Sequence, residues 1–245
     1  MCRKADGPKG TFHGPLSERL KKWKKCILSN GKNSVPFVLG NDLVDLSHPD
    51  TLNFHPRFPQ RICTLSERNY LNLIPPDSPE YIEKLWIIWS IKESAYKACK
   101  QYKPGVTGWW NSFEVILERR QVLCFGDFLL NVKTDMGRGG MSGNIPYIHS
   151  LVYSPSLSRH QISSGVTWIS PDQNPSDAVR EFTTSRLLAS GRKDGDKTIK
   201  WDKENSGAPV LRINHKVLPG RFSFSHHGRF ISYACCLTAG IPAKK

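Results

Sequence analysis

Residues 85–100 read LWIIWSIKESAYKACK, a run apolar enough for a core that nevertheless carries Lys92, Glu93 and Lys97 in its middle. The flanking residues extend the pattern from Pro79 to Tyr102, and a proline near the start with a break at KPG predicts one long helix. On that helix Trp86, Ser90, Glu93 and Lys97 share one stripe at 3.6-residue spacing, while Leu85, Ile88, Ala95 and Ala98 pack elsewhere. A Glu–Lys pair one turn apart on a solvated face contributes only about 0.3 kcal/mol. Three charges inside a burial pattern therefore need a reason beyond helix stability.

The neighbouring segments supply candidates. Upstream, VPFVLGNDLVDL reads as a strand that reaches Gly40 and then presents Asp42 and Asp45. TLSERNYLNLI opens with Thr64 and has Glu67 three residues on, a capping-box spacing that predicts a short helix. Downstream, SFEVILERRQVLCFGDFLLNVKT alternates like two strands joined near Gly126-Asp127. The glycine-rich MGRGGMSGN reads as the connector at the middle of the architecture. After it come the strand YIHSLVYS, the amphipathic helix PSDAVREFTTSRLLAS with Ser176 as its cap, and VLRINHKV. RFSFSHHGRFISYACCL closes the series as a hairpin turning at SHHGR. Strand, helix and strands recur twice, which predicts an α+β fold of two similar halves.

Composition narrows the class. The 245 residues, 38% hydrophobic and 10% aromatic, suffice for a substantial core. No stretch reaches the length of a membrane span, and the basic N-terminus lacks the apolar segment of a signal peptide. Seven scattered cysteines without a CxxC suit a reducing compartment, and the chain is expected in the cytoplasm. The formal charge is +14, and residues 1–34 hold nine Lys or Arg against two acids, so residues 1–35 read as a basic arm. Such a balance implies an anionic partner. The glycine runs at 105–108 and 137–143 lack the lysine and hydroxyl residue of a P-loop, and no Ser-His-Asp elbow or metal-ligand His/Cys spacing is present. Asp42 and Glu93, on separate elements, are the kind of carboxylate pair that holds Mg²⁺ together with water and phosphate oxygens.

Taken together, Gly40-Asn41-Asp42 and the ungapped Trp89-Ser90-Ile91-Lys92-Glu93-Ser94-Ala95-Tyr96-Lys97 resemble the glycine–any–aspartate and tryptophan-x-x-Lys-Glu-(Ala/Ser)-x-x-Lys motifs of the 4′-phosphopantetheinyl transferase superfamily. Glu67 resembles a glutamate motif between them, without its phenylalanine. DAVREFTTSRLL, NSGAPVLRI and FSFSHHGRFISYACCL are similar to the helix, Gly-x-Pro turn and Ser-His hairpin of the larger, pseudodimeric members, in which that half comes first. The resemblance implies a pseudodimer with its halves in reversed order and the active site in the cleft between them. Residues 36–136 would form the metal-binding half and 145–240 the coenzyme A-gripping half. The small trimeric holo-acyl-carrier-protein synthases share the motif order but leave the second helix unexplained.

By the same resemblance, the reaction is Mg²⁺-dependent transfer of the phosphopantetheine arm of coenzyme A to a serine of an acyl or peptidyl carrier protein. Asp42 and Glu93 would hold the metal. Lys97 would neutralise the pyrophosphate or protonate the leaving group. Glu93 or a metal-bound water would take the serine proton, and Glu67 would be a third ligand or an orienting group. Arg180, Ser225, His226, Lys92 and Lys97 would contact coenzyme A. Two departures stand out: Val44 replaces the acid two positions after Asp42, and Ala208 replaces the lysine of a Gly-Lys-Pro turn, with Lys203 and Lys216 as substitutes. Val44 leaves Glu67, Asp45 or water as the third ligand. The basic surface suits an acidic carrier, and a monomer is expected. The rival readings are a coenzyme A binder without transferase activity and a basic nucleic-acid-binding protein, which would have no need of Asp42, Glu93 and Lys97 together.

Overall fold

Gly40 explains how the first strand meets the long helix. A Cβ built on it would lie 2.8 Å from the Ala98 nitrogen and closer still to the Ser94 carbonyl oxygen, so only a bare backbone fits there. The computed structural model describes residues 37–106, 110–126, 128–189 and 198–237. The expected basic arm lies outside them. Strand β1 (Leu39–Asp45) is buried along its whole length. Three short helices follow: α1 (Pro49–Leu52), α2 (Phe58–Ile62) and α3 (Leu65–Leu71). In α3 the expected capping box is present, with Thr64 accepting from the Glu67 amide and Glu67 accepting from the Thr64 amide. Helix α4 (Pro79–Tyr102) starts where Ser78 accepts from the Tyr81 amide at 3.1 Å, with Pro79 in its first turn. Among the described residues no helix is long and apolar enough to cross a membrane.

Beyond α4, a 3₁₀ turn at Trp110–Ser112 leads into β2 (Phe113–Ile116), β3 (Gln121–Cys124), β4 (Phe128–Gly139) and β5 (Ile145–Tyr153). The segment expected as two strands is therefore three. Arg120 adopts a left-handed conformation (φ 51°) and folds the apparent first strand into a β2–β3 hairpin. Continuous alternation and the absence of a glycine there hide the turn. Nor is MGRGGMSGN a connector between halves. Strand β4 runs through it to Gly139, and the residues beyond form the tip of the β4–β5 hairpin. Strand β5, expected to open a second half at 145, pairs antiparallel with both β1 and β4, giving a five-stranded sheet ordered β1-β5-β4-β3-β2. Its apolar face meets Leu85, Ile88, Ile91, Ala95 and Ala98 of α4 in the largest core cluster.

A second three-stranded sheet is ordered β10-β11-β6, built from β6 (Ser163–Trp168), β10 (Gly220–His227) and β11 (Phe230–Leu237). Helix α5 (Pro175–Ala189) packs on it through Val179 and Phe182. Asn174, not Ser176, caps α5, its Oδ1 accepting from the Ser176 amide at 2.9 Å. A small sheet, β7 (Ile199–Lys203), β8 (Pro209–Ile213) and β9 (Lys216–Val217), completes the described chain. Strand β1 also packs against β10, where the Asn41 amide donates to Ser223 Oγ at 2.9 Å. Cys235 and Cys236 are free and buried in β11, the core role expected of them.

Candidate functional site

Asp42 stands in the middle of β1, buried, where the strand passes between α4 and β10. Its Oδ1 accepts from Lys97 Nζ at 2.8 Å and from Ser225 Oγ at 2.8 Å. Lys97 Nζ donates in addition to the Asn41 carbonyl at 3.1 Å and to Ser225 Oγ at 3.1 Å. One ammonium thus joins α4, β1 and β10, whose residues stand 55 and 128 positions from it in the chain. One turn on, Gln101 repeats the stitch, donating to the carbonyls of Leu39 at 2.7 Å and Phe222 at 3.1 Å. Gln101 was missed in the sequence, although continuing the Glu93–Lys97 stripe by one turn reaches it.

A cleft of about 380 Å³ opens beside this junction, lined from several elements by Glu93, Lys97, Arg180, Lys203, Ala208 and His226. Lys100 and Tyr96 of α4 also face it and were likewise unread in the sequence. Of the two lysines considered as replacements for a missing one at Ala208, Lys203 borders the cleft and Lys216, on β9, does not. Asp202 lines it too, but is held by Lys200 at 3.1 Å and Arg212 at 2.7 Å. Arg180 pairs with Asp177 at 2.8 Å along its own helix and is one-third exposed.

The electrostatics of the inner end set Glu93 apart. Burial, and next the charge of Asp42, push its carboxyl up to about 7 against the opposing pull of Lys97. His226 is held below its ordinary value, first by burial and then by the Lys97 charge. His227 is turned away, its Nδ1 accepting from the Asp45 amide at 3.0 Å. Asp45 is spent in the turn after β1, its Oδ1 accepting from the Ser47 amide and hydroxyl at 2.9 and 2.7 Å.

Glu67 and Lys92, expected as a catalytic group and a coenzyme contact, do not reach this cleft. Lys92 is fully buried and its ammonium donates to Glu67 Oε2 at 2.7 Å, the Ile62 carbonyl at 2.7 Å and the Trp110 carbonyl at 3.1 Å. Glu67 accepts from the amides of Thr64 and Val115, each at 2.7 Å. The reason is angular: residues 92 and 93 are about 100° apart around the helix, so one faces α2 and α3 while the other faces the cleft. The structure therefore brings together Asp42, Glu93, Lys97, Ser225, His226 and Arg180, and it separates Glu67 and Lys92 from them.

The same β1–α4 unit carries the likeness to known proteins. Residues 38–135 match the 4′-phosphopantetheinyl transferase superfamily. The likeness covers about two fifths of the chain. The matched stretch runs from the start of β1 into β4 and includes Asp42, Glu93 and Lys97; Arg180, Ser225 and His226 lie beyond it. A domain of this kind points to phosphopantetheine transfer in general, and the mixed α and β architecture agrees with its fold. No curated protein gives a significant match to the chain.

Proposed function

We propose that this chain transfers the 4′-phosphopantetheine arm of coenzyme A to a serine of an acyl or peptidyl carrier protein, releasing adenosine 3′,5′-bisphosphate. The observation that carries the reading is the Lys97 ammonium, anchored to Asp42 and Ser225 at the edge of a cleft also lined by Glu93. The serine oxygen attacks the pantetheine-side phosphorus of the pyrophosphate. The P–O bond to the bridging oxygen breaks, and the displaced phosphate carries away the electron pair. Lys97 offsets the negative charge that builds on that oxygen. Of the two carboxylates lining the cleft, Asp202 is held in ion pairs, and Glu93 or a water beside it accepts the serine proton.

The donor set fits a divalent cation. Burial and, second to it, the charge of Asp42 raise Glu93, and Mg²⁺ held by the two carboxylates would offset both. Among the described residues no three His, Cys, Asp or Glu converge as a cation site, so pyrophosphate and water oxygens would complete the shell. Bound there, Mg²⁺ would neutralise charge on the transferring phosphate.

Arg180 of α5 and His226 of β10 line the cleft, where the adenosine phosphates of coenzyme A would lie; Ser225 is bonded to Asp42 and Lys97, and Lys203 would stand in for the lysine missing at Ala208. A pseudodimeric reading is supported by strand order. The series β1–α4–β4–β5, arranged β1-β5-β4, has the same connectivity as β6–α5–β10–β11, arranged β6-β11-β10. On that reading the halves divide between Tyr153 and Ser163, the coenzyme-gripping half comes second, and one chain completes the cleft as a monomer. The test is mass spectrometry of an apo carrier protein incubated with the chain, coenzyme A and Mg²⁺. The expected result is a gain of one phosphopantetheine that EDTA abolishes and that Asp42→Ala and Glu93→Ala each lose. Coenzyme A binding without any gain across several carriers would replace transfer with simple binding.

A further inference from the structure

We infer that the buried Glu67–Lys92 pair is a positioning device that fixes the roll of α4 about its axis and thereby aims Glu93 at Asp42. The inference rests on the function proposed above. A lysine and a glutamate sealed from water are an expensive way to join two helices, since an apolar pair of similar volume is often as stable or more so. What an ammonium adds is direction. All three donors of Lys92 are used, on the end of α2, on the 3₁₀ turn at Trp110 and on Glu67. Glu67 is itself held by the amide that starts α3 and by the Val115 amide in β2. Four neighbouring segments thus converge on one helical position, immediately before the carboxylate that faces the cleft.

The rings on either side reinforce the constraint. Trp110 packs against Trp89 and Tyr96, one position three residues before Lys92 and the other four after it, with centroids 4.8 and 5.5 Å apart. On another face, Ser94 and Ala98 press on the bare backbone of Gly40. Residues 92, 93 and 94 point in directions about 100° apart. The helix is therefore gripped on two faces, and Glu93 projects between them into the open cleft. A side-chain atom about 6 Å from the helix axis moves about 2 Å for a 20° roll. That distance is enough to take Glu93 out of register with Asp42 on the neighbouring strand.

The test uses the full chain and reads cation binding directly. Mn²⁺ affinity is measured by electron paramagnetic resonance, and affinity for adenosine 3′,5′-bisphosphate by calorimetry. The variant is the double substitution Glu67→Gln with Lys92→Met, which removes both buried charges together and leaves neither uncompensated. We expect Mn²⁺ to bind about tenfold more weakly, as for other groups that orient a ligand from behind, with the nucleotide affinity within twofold. If the double variant does not fold, Glu67→Gln alone, which keeps the shape and one of the two accepting oxygens, is read in the same way. A folded variant with Mn²⁺ affinity within twofold of wild type overturns the positioning role and leaves the proposed reaction standing. A parallel loss of both affinities overturns it too, because a general loosening of the fold would do that. Wild-type protein that binds no Mn²⁺ removes the cation assignment itself, and this inference with it.

Discussion

Replacing Gly40 with alanine tests the junction on which the site is built. The added methyl group would lie 2.8 Å from the Ala98 nitrogen and nearer still to the Ser94 carbonyl oxygen, both of them backbone atoms of a rigid helix. Ordinary contact begins at about 3.5 Å, so β1 and α4 must part by roughly 1.5 Å. The Asp42–Lys97 contact at 2.8 Å and the Gln101–Leu39 contacts at 2.7 and 3.2 Å span that same gap and would stretch past hydrogen-bonding range. Overpacking of this kind costs about 1–3 kcal/mol, and a chain of this size loses about 2–4 °C of Tm per kcal/mol. A misplacement of about 1 Å in a reacting constellation can cost about 10²-fold in rate. Thermal melts and initial rates of carrier modification measure both. Gly40→Ala with an unshifted melt and turnover within twofold of wild type would refute the close-packing argument and the link between strand position and catalysis.

Other substitutions separate stability from chemistry. Burial pushes His149 down to about 4, so on acidification the unfolded chain takes up its proton first and stability falls between about pH 6.5 and 4. The loss approaches about 3 kcal/mol, and urea unfolding of His149→Gln should show a flatter slope across that window; parallel curves would contradict this. Gln101→Leu strands the carbonyls of Leu39 and Phe222 and should destabilise by about 1–3 kcal/mol, read as a lowered urea midpoint. For His226→Ala, the KM for coenzyme A should rise while kcat holds, and an unchanged KM would make the histidine structural.

What could be read in advance follows from the range of the forces involved. Helix α4, the Thr64 capping box and the β10–β11 hairpin depend on residues close in sequence, and each stands where the spacing put it. Asp42, Glu93 and Lys97 were legible as site residues because the two motifs that hold them resemble those of a known family, whereas the direct Asp42–Lys97 ion pair was not read. The pairing of β5 with β1 depends on register between segments more than a hundred positions apart, which local alternation cannot encode. The same limit explains Glu67 and Lys92. A motif names residues as a string, whereas one step along a helix turns a side chain by about 100° and can move it from cleft to core. MGRGGMSGN misled for another reason. Its Gly139 leaves room for the ring of Phe230 against the hairpin, so what looks like a flexible linker is a packing surface.

The Ser225–Asp42 contact spans 183 positions, and β10 and β11 are the last strands of the described chain. During synthesis at about 5–20 residues per second, β1 and α4 leave the ribosome several seconds before β10 exists. Throughout that interval Lys97 lacks its Ser225 partner and the wall bearing His226 is missing. A chain that stops short of β10 therefore lacks one wall of the cleft. If the proposed transfer uses that cleft, interrupted translation would yield inert fragments rather than weakly active ones.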